Sequence, residues 1–185
     1  IGLGFPVYYF EGDEFEEDLF FKEVAQLLEH FKEHVVTLEI GRSLVASCGS
    51  YLTSVVDYKE NKVGNFAILD GGIHHLVYYG SSMAMKIPHY EIFPKREGQN
   101  KNVNLCGSLC TINDILVKNV ECPSLQIGDV VMFKNVGAYS MTEGISLFLS
   151  HDLPKVVFIK NKQIEVVRES IPTYVLNEPK IEGEK

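Results

Sequence analysis

Leu19, Phe20, Val24, Leu27, Leu28 and Phe31 recur at helical spacing within residues 13–34, with Glu and Lys between them. Acidic residues Asp13, Glu14, Glu16, Glu17 and Asp18 crowd the start, where a helix dipole favours them, so a solvated, well-capped helix end is expected. The apolar run 35–38 then reads as a buried strand of the parallel-sheet kind. No second helix–strand pair follows. Loop, helix and strand make one unit of an α/β fold, and one unit cannot bury both of its faces. It needs the rest of a sheet or barrel that these 185 residues do not supply.

From about residue 43 the texture changes. A β-rich run at 43–56, with its strand at 51–58, is followed by 66–69, 89–93, 103–106, 115–120, 129–133, 146–149, 155–159 and 163–168. Turn signals divide them, among them residues 59–62 and Asp70-Gly71-Gly72. Many short strands at this spacing indicate an antiparallel barrel or sandwich. The tail 177–185 is polar, holds Pro179 and Gly183, and is expected to fray. The expected architecture is therefore mainly β: a loop–helix–strand remnant over 1–42, a β-domain over 43–176 and a short tail.

A net charge of −8, without a basic, aromatic-interleaved patch, argues against nucleic-acid binding. No run is apolar over the length a bilayer requires. The first residue is Ile and no charged-then-apolar segment opens the chain, so a cut or processed end and a cytoplasmic setting with reduced thiols are expected. Of Cys48, Cys106, Cys110 and Cys122, none forms C-x-x-C, and Cys106-x3-Cys110 lacks the second pair a zinc site needs. Three of the four read as buried structural thiols, with Cys110 set apart. His74 and His75 are adjacent; on a strand they would point to opposite faces, and no third ligand joins them at sensible spacing. No metal site is expected.

At the junction of the two textures stand Glu39, Gly41 and Arg42. A carboxylate and a guanidinium three residues apart can address two ends of one polar ligand, and Gly41 lets backbone approach it. A structural salt bridge is the other reading. The opening Gly2-Leu3-Gly4 is likewise either a plain turn or a loop whose N–H groups wrap a phosphate.

Five motifs, taken in order, resemble the fold-type III pyridoxal-phosphate decarboxylases, the group of ornithine, arginine and diaminopimelate decarboxylases. Those enzymes join an N-terminal (β/α)8 barrel to a C-terminal β-domain. Gly2-Leu3-Gly4-Phe5-Pro6 is similar to the family's G-G-G-F-P loop, and Glu39-Ile40-Gly41-Arg42 to E-P-G-R. Asp70-Gly71-Gly72 matches D-G-G, and residues 107–114 resemble G-P-x-C-(D or E)-x-x-D. Gly137-Ala138-Tyr139 matches G-A-Y.

The resemblance implies pyridoxal 5′-phosphate as cofactor. Glu39 would face the pyridine nitrogen; Gly2, Gly4, Gly41 and Arg42 would hold the phosphate; Tyr139 would lie near phosphate and ring, its other reading being a core tyrosine. Cys110 would return a proton to the substrate from across a homodimer interface, where two active sites are shared. Thr111 stands where diamine-forming members place an acid for a distal ammonium, and a hydroxyl cannot supply that charge. Residues 76–80 lack the arginine usual in diaminopimelate decarboxylases, and residues 148–151 replace the common F-N-G. Together these departures are similar to a side branch acting on modified or carrier-tethered amino acids.

No lysine here matches the family's cofactor-carrying lysine, which lies on an early barrel strand. The chain alone is thus expected to be inert, as the C-terminal part of a decarboxylase. An amino-acid racemase and a non-catalytic dimerising β-domain are the rival readings.

Overall fold

A computed structural model describes residues 1–2, 4–81 and 84–179. Leu3, the middle of the expected phosphate loop, and residues 180–185 of the expected tail lie outside the described residues.

The mainly β expectation holds. Strand β1, Ser50–Asn61, turns back through Lys62 and Val63 into β2, Gly64–Leu69, with Asn61 paired to Gly64. The expected turn at 59–62 is therefore shifted: the strand runs on to Asn61, whose Oδ1 accepts the Val63 N–H at 2.9 Å. With β3 (Tyr90–Phe93), β4 (Asn100–Cys106), β5 (Ile115–Pro123) and β6 (Val130–Lys134) they form one sheet in the order β3-β6-β1-β2-β4-β5. Every pairing in it is antiparallel except β2 with β4.

β1 serves two partners. Its first residues, Ser50 to Ser54, pair with β6, and from Val55 onward it pairs with β2. The register slips between Val55 and Asp57. A bulge of this kind bends a strand and adds twist, so the sheet curls until its edge strands β3 and β5 line one cleft of about 280 Å³. Val103 and Leu105, Val131 and Phe133, and Ala67 and Leu69 alternate inward on their strands to fill the core. Tyr9 and Phe10 join it from the N-terminal segment, packing on Tyr78 with centroids 5.4 and 5.9 Å away. A separate hairpin, β7 (Val156–Lys160) with β8 (Gln163–Arg168), is fastened by the bridge Leu153↔Ile171.

Five sequence expectations are corrected. Helix α1 spans only Glu17–Glu29 and has no side-chain cap. Asp13 is withdrawn from it because its carboxylate accepts the Tyr9 and Phe10 N–H groups, at 3.2 and 3.0 Å. Residues 35–38 are not a buried strand, and Val35 is 99% exposed. A strand exists through its ladder, and among the described residues only the parallel bridge Gly2↔Glu39 is present here.

The start of the 43–56 run is helical. A short helix α2, Arg42–Val45, passes into a 3-10 turn, Ala46–Cys48. Its backbone is claimed by residues 136–137: Gly137 N–H donates to Ala46 O and Val136 N–H to Gly49 O, both at 2.9 Å. Residues 146–149 are also not a strand. Phe148–Ser150 is a 3-10 turn in which Leu149 and Ser150 take φ of 59° and 54°, outside the β region. Among the three thiols expected to be buried, Cys122 is, while Cys106 is half-buried and Cys48 is exposed, its Sγ–H donating to Val45 O.

Candidate functional site

Arg42 is the centre of the site. It opens α2, and the docking of α2 against residues 136–137 fixes where its side chain emerges. That docking depends on two glycines. A Cβ on Gly137 would lie 1.8 Å from Val45 O, and one on Gly49 would lie 2.4 Å from Gly137 N. Bare backbone therefore packs on bare backbone, which brings Tyr139 to Arg42.

The guanidinium lies 4.8 Å from the Tyr139 ring and 4.9 Å from the Tyr79 ring, measured to the centroids. Its Nη1–H donates to Tyr9 Oη at 3.2 Å and its Nη2–H to Glu143 Oε1 at 3.1 Å. The Tyr9 hydroxyl, and after it the Glu143 carboxylate, hold the Arg42 pKa above its ordinary value. A structural pair between Arg42 and Glu39 does not form; the partner carboxylate is Glu143. Tyr139, half exposed with φ of 62°, is not a core tyrosine.

Sequence reasoning missed Tyr9, Tyr79 and Glu143. A Glu four residues after the tyrosine of a Gly-Ala-Tyr turn was a usable signal for Glu143. Nothing local marks the two tyrosines, which reach Arg42 from 33 and 37 residues away.

The donors around Arg42 suit a phosphate. A Cβ on Gly41 would fall 2.9 Å from Tyr139 Oη, so the missing side chain leaves room beside both a phenol and a cationic fork. Glu39 is exposed, and its backbone joins Gly2 through the parallel bridge and an N–H bond to Ile1 O at 2.9 Å. A carboxylate there is an acceptor for a ring N–H. Gly4 has open space where a side chain would stand.

Cys110 and Thr111 lie on a different loop. Leu109 is buried and anchors it, while the Cys110 thiol is exposed. Asp114, 3% exposed, fastens the loop to the Asp70-Gly71-Gly72 turn. Its Oδ1 accepts the Ile73 N–H at 2.8 Å and its Oδ2 the Leu109 N–H at 2.7 Å. Thr111 Oγ1 accepts the Asn113 N–H at 3.3 Å within the loop. No hydrogen bond, ion pair or ring contact among the described residues ties Cys110 to the Arg42 cluster.

His74 and His75 sit in a turn, not on a strand, and this corrects the expectation that they face apart. Their ring centroids are 3.9 Å apart, and the His151 ring lies 4.8 Å from that of His74, tilted by 47°. His75 bridges Tyr51 Oη, at 2.9 Å, and Asp152 O, at 2.8 Å. Among the described residues no group of three side chains is suited to a metal ion.

His74 is 1% exposed with neither ring nitrogen hydrogen-bonded. Burial, then His75 and His151, push its pKa down to about 4. The folded chain thus binds that proton less readily than the unfolded chain does. Stability should be full above about pH 6.5 and fall as the pH drops toward 4. Urea midpoints between pH 7 and 4 check this: His74→Phe should flatten the slope, and an unchanged slope rules out His74 as its source.

Residues 8–137 match the family model described as pyridoxal-dependent decarboxylase, C-terminal sheet domain. The chain is 35% identical over 145 residues to the L-glutamyl-[BtrI acyl-carrier protein] decarboxylase of Niallia circulans, covering 75% of this chain and 34% of that protein. It is 31% identical over 169 residues to the 2-[(L-alanin-3-ylcarbamoyl)methyl]-2-hydroxybutanedioate decarboxylase of Staphylococcus aureus, covering 86% and 42%. The fold superposes on a diaminopimelate decarboxylase from M. jannaschii, in co-complex with L-lysine, with a TM-score of 0.80 at 24% identity. That match covers 97% of this chain and 42% of the solved one. The chain spans less than half the length of each of these proteins. With the sheet domain matched over residues 8–137, the chain belongs to the pyridoxal-dependent decarboxylase family, as its C-terminal sheet domain.

Proposed function

We propose that the chain is the C-terminal part of a pyridoxal-phosphate-dependent amino-acid decarboxylase. The observation that carries this reading is the meeting of Gly41, Arg42 and Tyr139, from motifs about a hundred residues apart, with the Arg42 guanidinium 4.8 Å from the Tyr139 ring. Residues 1–42 would complete a (β/α)8 barrel, 43–176 would form the β-domain, and 177–185 a tail. The protein would work in the cytoplasm as a homodimer with shared active sites. One relative's name specifies a carrier-bound glutamyl group, which supports a modified or carrier-tethered substrate. The hydroxyl of Thr111 fits a substrate whose far end is not a free ammonium.

When bound, the cofactor withdraws the electron pair left on Cα as CO₂ departs. Glu39 would keep a proton on the pyridine nitrogen. Gly2, Gly4, Gly41, Arg42 and Tyr139 would hold the phosphate, orienting the ring. The Cys110 thiol would return a proton to Cα from the partner subunit.

The test is CO₂ release by the decarboxylase that contains this chain. Cys110→Ala should slow turnover about 100-fold, the scale of a lost general acid, or loosen the stereochemistry of protonation, while the cofactor absorption band stays. Loss of that band in Cys110→Ala sinks the role given to the thiol. No CO₂ release from the wild type sinks the decarboxylase reading.

A further inference from the structure

Glu143 has no part in the function proposed above, yet it is the one carboxylate on Arg42 among the described residues. Its backbone is held firmly. The Thr142 and Glu143 N–H groups both donate to Tyr139 O, at 2.7 and 2.9 Å, closing a turn around the positive φ of Tyr139. Next along the chain, a Cβ on Gly144 would lie 2.6 Å from Ile73 O, so the turn is wedged against the Asp70-Gly71-Gly72 segment. The carboxylate itself is partly exposed, with 38% of the side chain's surface open.

Arg42 is occupied on four sides. Tyr9 and Glu143 take its two Nη groups, and Tyr79 and Tyr139 flank the guanidinium at similar distances. Tyr9 is buried in the core and cannot withdraw cheaply. A phosphate arriving at the fork therefore meets a charge of its own sign, on a hydrogen-bonded partner whose side chain is partly exposed. Exposed ion pairs are weak, and a phosphate carries more charge and more acceptor oxygens than a carboxylate.

We propose that Glu143 is an anion gate: it holds Arg42 in its binding pose and gives way to the phosphate of the incoming cofactor. The proposal rests on the reading that the Arg42 cluster holds that phosphate. It makes cofactor affinity a balance between two anions competing for one guanidinium.

The test titrates inorganic phosphate, and separately pyridoxal 5′-phosphate, into the chain while following the Arg42 Nε–H NMR signal. Glu143→Gln and Glu143→Ala should each bind both ligands about tenfold more tightly than the wild type, since each removes the competing charge. Arg42→Met should bind neither. Thermal unfolding of each variant establishes that it is folded. Equal or weaker binding by both Glu143 variants overturns the gate, while wild-type binding that Arg42→Met abolishes leaves the cofactor reading standing. Absence of binding by wild type and Glu143 variants alike, or binding that survives in Arg42→Met, overturns the phosphate site and the gate with it.

Discussion

Replacing Gly137 with alanine is expected to destabilise the chain by about 3 kcal/mol, the upper end of the usual range for overpacking. The added Cβ would stand 1.8 Å from Val45 O, a backbone atom that no rotamer change can move aside. Relief requires α2 to separate from residues 136–137, which breaks the Gly137 N–H to Ala46 O and Val136 N–H to Gly49 O bonds. Tyr139 follows two residues later, so the same separation draws its ring off Arg42. Urea unfolding measures the first effect and phosphate binding the second. Gly4→Ala is the control, since nothing lies within 4 Å of a Cβ there and its stability should be almost unchanged. Equal midpoints for the two variants would show that the junction tolerates an added methyl group.

Asp114→Ala is expected to cost about 4 kcal/mol, because it leaves the buried Leu109 N–H and the part-buried Ile73 N–H unpaired, at roughly 1–3 kcal/mol each. The loop bearing Cys110 should then come loose from the Asp70-Gly71-Gly72 turn, and hydrogen exchange at Leu109 should quicken. A second variant separates this from general damage. A Cβ on Gly107 would lie 2.2 Å from the Asp114 carboxylate and from nothing nearer. Gly107→Ala should therefore be severe in the wild type and mild in the Asp114→Ala background. A non-additivity of this kind is what shared contact produces; additive losses would mean that the carboxylate is not the staple described.

Much of the β-domain was legible because alternation is a local property. Val103 and Leu105, or Val131 and Phe133, point inward wherever their strands are placed, since successive side chains of a strand alternate. The failures have a common cause. Residues 35–38 carry strand-like composition without a ladder partner among the described residues, and residues 43–48 carry it while forming helical turns whose end, at Ala46 and Gly49, bonds to residues 136–137. Composition cannot register a partner that is distant or missing. The acidic start of α1 misled for a related reason, because Asp13 closes the preceding turn instead of capping the helix.

Motif order singled out Gly41, Arg42, Tyr139 and Cys110 as candidates; the first three meet in the structure, while Cys110 stands on a separate loop. The amino-acid sequence by itself determined the mainly β character, the inward-facing residues and the identities of those candidates. Only the tertiary structure decided that β2 and β4 run parallel, that Tyr9 and Tyr79 close on Arg42, and that Glu143 rather than Glu39 is its ion partner. Periodicity and turn chemistry act over a few residues and can be read locally. The Arg42–Glu143 pair spans 101 residues and exists because two glycines let α2 and residues 136–137 meet backbone to backbone.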